Sequence, residues 1–95
     1  MKVRLSSEAR RDLIAIGDYI ARDNPSRAHS FIKELTDKCA SLADIPLGHA
    51  IVPRYEARGI RRCVHDNYQV FYRVDGDLVF VVRVLHSARD HEALL

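Results

Sequence analysis

Residues 68–86 read Tyr68-Gln69-Val70-Phe71-Tyr72-Arg73-Val74-Asp75-Gly76-Asp77-Leu78-Val79-Phe80-Val81-Val82-Arg83-Val84-Leu85-His86. Two runs rich in β-branched and aromatic residues flank Asp75-Gly76-Asp77, the clearest hairpin-turn signal in the chain. The run over 78–86 is nearly continuous in apolar residues, which suits a central strand covered on both faces better than an edge strand. Just upstream the pattern has period two, with Ile60, Arg62 and Val64 on one side and Arg61, Cys63 and His65 on the other. Asp66-Asn67 is a second turn signal, so 60–86 predicts a three-stranded antiparallel meander. Whether Arg73 and Arg83 share a face depends on register. A two-residue Asp75-Gly76 loop and a three-residue Asp75-Gly76-Asp77 loop give opposite answers, and both stay open.

Working toward the N-terminus, 47–59 has no period and is punctuated by Gly48, Pro53 and Gly59, as a loop is. Before it, Ala28, Phe31, Ile32, Leu35, Cys39 and Leu42 line one helical face, with Asn24 as N-cap and Pro25 at the first helical position. Ile45-Pro46 and Gly48 end that helix. A first helix carries Ala9, Leu13, Ile16 and Ile20 as its apolar stripe, widened by Ile14 and Gly17, and stops near Asp23 because Pro25 disfavours helical geometry before it. Ser6 and Ser7 are its N-cap candidates, and 2–5 alternates as a short strand. With almost no linker, the helices fold back as an αα-hairpin whose apolar faces need a sheet. Ser87 is positioned to cap a short last helix over 88–95. The predicted fold is α+β: an N-terminal strand, then an αα-hairpin packed on a mostly antiparallel sheet completed by the meander, then a short C-terminal helix. The face of the meander away from the helices is expected to be left open, presenting its cations to another macromolecule.

The chain has 95 residues, room for one small domain over 1–95. Apolar residues make up 47% and charged residues 29%, a balance that excludes a disordered or collagen-like chain. The net charge of +2 hides a bias, since 12 of the 15 cations are Arg, the side chain suited to carboxylate and phosphate. Cys39 and Cys63 form no framework of disulfides and no zinc-ligand spacing, so a reducing cytoplasm is expected and neither metal nor cofactor is implied. No apolar run approaches the roughly 20 residues of a membrane span, so no membrane partner is expected.

No Gly-rich phosphate loop, GxSxG or HExxH motif is present. The unusual residues are cations within apolar strands: Arg61, Arg62, Arg73 and Arg83. Each either pairs at the surface with Asp66, Asp75 or Glu92 or contacts a partner. His86, at the end of its strand, either anchors the tail to backbone or serves as a general acid or base with Arg62, Arg73 or Arg83 holding a phosphate.

The ordered blocks Ser7-Glu8-Ala9, Ile45-Pro46-Leu47-Gly48, Gly59-Ile60-Arg61-Arg62, 68–74 and Arg83-Val84-Leu85-His86 with Arg89-Asp90 resemble the RelE/ParE superfamily of type II toxin–antitoxin toxins across nearly the whole chain. The resemblance implies a toxin neutralised by a cognate antitoxin whose flexible C-terminal segment wraps the helical hairpin and sheet. It implies operator DNA only through that antitoxin. Leu13, Ile16, Ile20, Phe31 and Leu35 are the residues expected to line or underlie the antitoxin groove. RelE-like toxins cleave messenger RNA on the ribosome with a cluster of basic residues. Here Arg62 is kept, but Ile60, Gln69 and Ser87 stand where further cations would help. Tyr72-Arg73-Val74 and the block from Arg83 to His86, with Arg89, look more like ParE, which inhibits DNA gyrase by protein binding. The resemblance therefore points to gyrase as target, through Arg62, Arg83, His86 and Arg89, with mRNA cleavage by His86, Arg83, Arg62 and Arg73 as the alternative.

Overall fold

The computed structural model describes residues 1–89, 91, 94 and 95. Strand β1 (Lys2–Leu5) leads into helix α1 (Ser7–Ala21) and helix α2 (Pro25–Ser41). A loop with a 3₁₀ turn, Glu56–Arg58, then precedes β2 (Arg61–His65), β3 (Tyr68–Asp75) and β4 (Leu78–His86). The strands form one four-stranded sheet in the order β1-β4-β3-β2, with β1 parallel to β4 and the remaining pairs antiparallel. The long apolar run is thus a central strand, flanked by β1 and β3.

Local chemistry fixes the helix starts. Ser6, buried, accepts from the Ala9 N–H at 2.9 Å and donates from its hydroxyl to the Val82 carbonyl at 2.6 Å, so one side chain caps α1 and ties it to β4. Asn24 caps α2 by accepting from the Arg27 N–H at 3.1 Å, with Pro25 in the first turn. The helices approach closely at Gly17, where a Cβ would lie 3.3 Å from the Ile32 side chain. Ile14, placed on the apolar stripe by its spacing, is instead 65% exposed, so the buried stripe of α1 is narrower than the sequence suggests.

The helix-facing core joins Ala9, Leu13, Ile16, Phe31, Leu35, Cys39 and Leu42 to Cys63, Val70, Tyr72, Val79, Val81 and Val84. Burial pushes the Cys39 thiol up to about 11 and the Cys63 thiol up as well, so both stay protonated packing groups.

Neither of the two loops expected, Asp75-Gly76 or Asp75-Gly76-Asp77, forms, because Asp75 is itself a paired strand residue. Asp75 pairs with Leu78, making Gly76-Asp77 the two-residue turn, and Gly76 supplies the required positive φ of 60°. A bulge then intervenes: Tyr72 pairs with Val81 but Phe71 with Arg83, so Val82 has no partner. Arg73 lies opposite Phe80 and Arg83 opposite Phe71, both on the face away from the helices.

That face is open only in part. Among the described residues neither α1 nor α2 covers it, and the aperiodic loop closes its Phe71 end: Val52 packs with Ile60, Phe71 and Leu85 into a second buried cluster, joined by Tyr55, Val82, Leu94 and Leu95. The loop also pairs with the outer edge of β2 through Val52 N–H to Ile60 O (2.9 Å) and Arg62 N–H to Ala50 O (3.0 Å), blunting an edge strand. The Tyr72 hydroxyl and the Arg61 guanidinium hold it by donating to the Pro46 and His49 carbonyls at 2.8 and 2.7 Å. The helix expected over 88–95 spans Asp90, Glu92 and Ala93, which lie outside the described residues; the short helical turn that is described, Glu56–Arg58, comes before β2.

Candidate functional site

The ends of α1, α2, the 66–67 turn and β4 enclose a groove of about 720 Å³. Ile16, Tyr19 and Ile20 form its α1 wall, Arg27 and Phe31 its α2 wall, and Tyr68, His86 and Arg89 its sheet side. Aromatic rings interlock along it. Tyr68 and His86 are cross-strand partners with rings edge to face at 5.1 Å, and Phe31 lies 5.4 Å from Tyr68. The Arg27 guanidinium sits 4.9 Å from the Phe31 ring centre. Burial, then nearby Tyr19 and Asp66, raises the Tyr68 hydroxyl above its ordinary range, keeping it a neutral donor.

Beside the groove, Glu34 joins α2 to β2 by accepting from Arg27 and lying 3.0 Å from His65 Nε2. The Arg27 guanidinium, and after it His65, holds the Glu34 carboxyl below the usual range. A carboxyl so depressed stabilises the fold above its unfolded value and loses that contribution as pH falls through the folded value. Glu34→Gln is therefore expected to melt below the parent at neutral pH, with the gap closing as pH drops below the carboxylate range; thermal melts across a pH series check it.

The groove brings together two of the residues expected at the target surface, His86 and Arg89, and three expected at the antitoxin, Ile16, Ile20 and Phe31. Leu13 and Leu35 are core, Leu35 fully so, and underlie the helix faces without lining the groove. Arg62 lies elsewhere, opposite Phe71 on the other face of the sheet, whereas Arg83, the β4 partner of Phe71, turns its guanidinium to Asp12 of α1 at the groove wall. Arg62 donates to Gln69 Oε1 at 3.3 Å, and Arg73 pairs with Asp75 at 2.9 Å. His86 Nδ1 accepts from the Ala88 N–H at 3.0 Å, the tail-anchoring role, which places the ring proton of the neutral form on Nε2.

Arg83 is committed internally. Its Nε and Nη2 each donate to Asp12 at 2.8 Å, and Asp12 Oδ2 also accepts from the Val84 N–H at 2.9 Å. Both side chains are largely buried, and donating to Asp12 raises the Arg83 pKa further. β1 stops at the partner of Val81, so beyond it Ser6 and Asp12 satisfy the β4 edge. Asp12 was the residue sequence reasoning missed: it reads as one more charge on the solvated side of α1. The available signal was its place four residues before Ile16, on the shoulder of the stripe.

His86 and Tyr68 belong to the helix side of the sheet, Arg62 and Arg73 to the other, and the Arg83 guanidinium is taken up by Asp12 of α1. Arg73 is also five residues from Tyr68 along β3, about 17 Å at the usual rise per residue. The arrangement does not gather a proton-transfer group and phosphate-holding cations around one point. It does offer a partly apolar, aromatic-lined groove with Arg27 and Arg89 at its rim.

Fold and groove define a small α+β domain with an aromatic-lined cleft between its helical hairpin and its sheet. The family model for the ParE toxin of the type II toxin–antitoxin system parDE matches residues 3–91, and the chain belongs to that family. Among solved structures it is similar to the chromosomal ParDE toxin–antitoxin system of P. aeruginosa, with TM-score 0.78, 21% identity, and 90% of this chain and 95% of that one covered. It is similar also to the RelBE2 toxin–antitoxin complex of Mycobacterium tuberculosis, with TM-score 0.63 and 26% identity over 90% of this chain and 95% of that one. The RelB–RelE complex of Methanococcus jannaschii follows with TM-score 0.54 and 21% identity over 87% of this chain and 88% of that one. A comparison with curated proteins found no match. Among the described residues no helix is long and apolar enough to cross a membrane.

Proposed function

We propose that this ParE-family toxin inhibits DNA gyrase by protein–protein binding in the cytoplasm, arresting growth, and is neutralised by a cognate antitoxin. The observation that supports binding over catalysis is the division of the candidate residues between two sheet faces, with Arg83 already neutralised by Asp12. The exposed Arg89 and the half-exposed Arg62 are the cations left to meet gyrase, with His86 beside Arg89 in the groove. The antitoxin's apolar side chains enter along Ile16, Ile20 and Phe31, a surface suited to a segment that folds on contact. Operator DNA is reached through the antitoxin.

A supercoiling assay with purified gyrase tests the reading. Micromolar toxin is expected to block supercoiling or trap the cleaved complex, and Arg89→Glu to weaken the block about tenfold or more, as removal of a central charged contact does. No inhibition at that concentration rejects it. The similarity to the RelBE2 complex favours a second reading, a ribosome-dependent mRNA endonuclease with His86 in proton transfer. That reading requires codon-phased cuts in primer extension and loss of toxicity in His86→Gln.

A further inference from the structure

The register of the sheet repeats one pattern. On the face away from the helices, Phe71 of β3 stands between Arg62 of β2 and Arg83 of β4. In the adjoining row Phe80 of β4 stands between Arg4 of β1 and Arg73 of β3. The two aromatics are therefore each flanked by two guanidinium-bearing side chains, in rows about 7 Å apart along the strands. The first row is filled by the chain itself: the His91 ring stacks on Phe71 with centres 5.1 Å apart and planes 29° apart. A flat nitrogen heterocycle thus already occupies this face where the pattern is closed.

In the second row the cover is the Arg73 guanidinium, a flat cation lying over the Phe80 ring. Phe80 is half-exposed, and the Arg73 guanidinium lies 4.7 Å from its ring centre. Arg73 gives Nε to Asp75. Arg4 and Lys2 are exposed on the same face, with no ion pair among the described residues. An aromatic platform with cations on both sides is the chemistry that holds an unpaired nucleotide, the base stacked on the ring and its phosphate met by Arg or Lys.

We propose that Phe80, Arg4, Arg73 and Lys2 form a binding site for single-stranded nucleic acid on the toxin itself, separate from the groove and from the residues considered for gyrase. A strand crossing this face stacks one base on the Arg73 guanidinium that Phe80 supports, and lays its phosphates along Arg4 and Lys2. Asp75 and Asp77, at the neighbouring hairpin, mark the side from which the strand is repelled.

Fluorescence anisotropy with labelled single-stranded DNA, single-stranded RNA and duplex DNA of one sequence tests this without gyrase, so its outcome is independent of the target reading. Single strands are expected to bind at micromolar concentration or better and more tightly than the duplex. Arg4→Glu, at an exposed side chain, is expected to weaken binding about tenfold and to lower the salt slope by about 0.7 for each phosphate that the variant no longer neutralises. Phe80→Leu, which keeps an apolar filler, is expected to cost about fivefold or more through lost stacking. A preference between the DNA and RNA arms identifies which strand the shared chemistry serves. Absence of binding, equal binding to duplex, or affinities unchanged in both Arg4→Glu and Phe80→Leu overturns the proposal.

Discussion

Replacing Leu35 by Ala is expected to lower the free energy of unfolding by about 2–5 kcal/mol. Leu35 is fully buried on α2, in the cluster that joins both helices to β2, β3 and β4, so truncation leaves a void that neither layer can close alone. Urea unfolding measures it, and Ile45→Ala is the comparison, since Ile45 is 65% exposed and should stay within about 0.5 kcal/mol of the parent. A loss for Leu35→Ala no larger than that of the comparison would overturn the placement of the α2 apolar face. The experiment also bears on toxicity assays, because variants at Leu13 or Leu35 act through the fold before they act through an antitoxin contact.

Asp12→Ala is expected to cost about 2–4 kcal/mol. The change removes both hydrogen bonds to Arg83 and the acceptor for Val84 N–H, stranding a largely buried guanidinium and a strand-edge donor together. Arg83→Met should cost less, because Asp12 keeps its bond from Val84. The double-mutant cycle is expected to show coupling of about 1–3 kcal/mol. Additive single effects would mean that the pair does not hold α1 to β4. Activity measured beside stability separates two roles for the arginines. A change at Arg83 should lower stability and inhibition together, whereas one at exposed Arg89 should lower inhibition alone.

Much of the architecture was legible because it is written in periods and punctuation. The stripe of Leu13, Ile16 and Ile20, the Asn24-Pro25 pair and the long run ending at His86 each encode an element locally, and each lies where its pattern places it. Three features escaped for a common reason: they depend on tertiary register. Val82 and Arg83 look like successive members of an alternating strand, and nothing local says that Val82 is a bulge. The loop residues Val52, Tyr55 and Ile60 have no period to announce a destination, yet they close the Phe71 end of the second face. Asp12 and Arg83 are 71 residues apart, so their pairing needs the strand order as well as both side chains. The groove was legible as scattered members, Ile16, Ile20, Phe31, His86 and Arg89, but not as one place, because only the packing of the hairpin on the sheet brings both helices against the end of β4.

Cys39 and Cys63 come from opposite layers and meet in the same interior, 3% and 1% exposed. A thiol reagent at neutral pH meets two protonated, enclosed sulfurs, and alkylation must wait for the layers to part. The chain thereby carries its own clock for opening: labelling rate reports how often helices and sheet separate, and any protein clasping the closed form slows that clock in proportion to its occupancy.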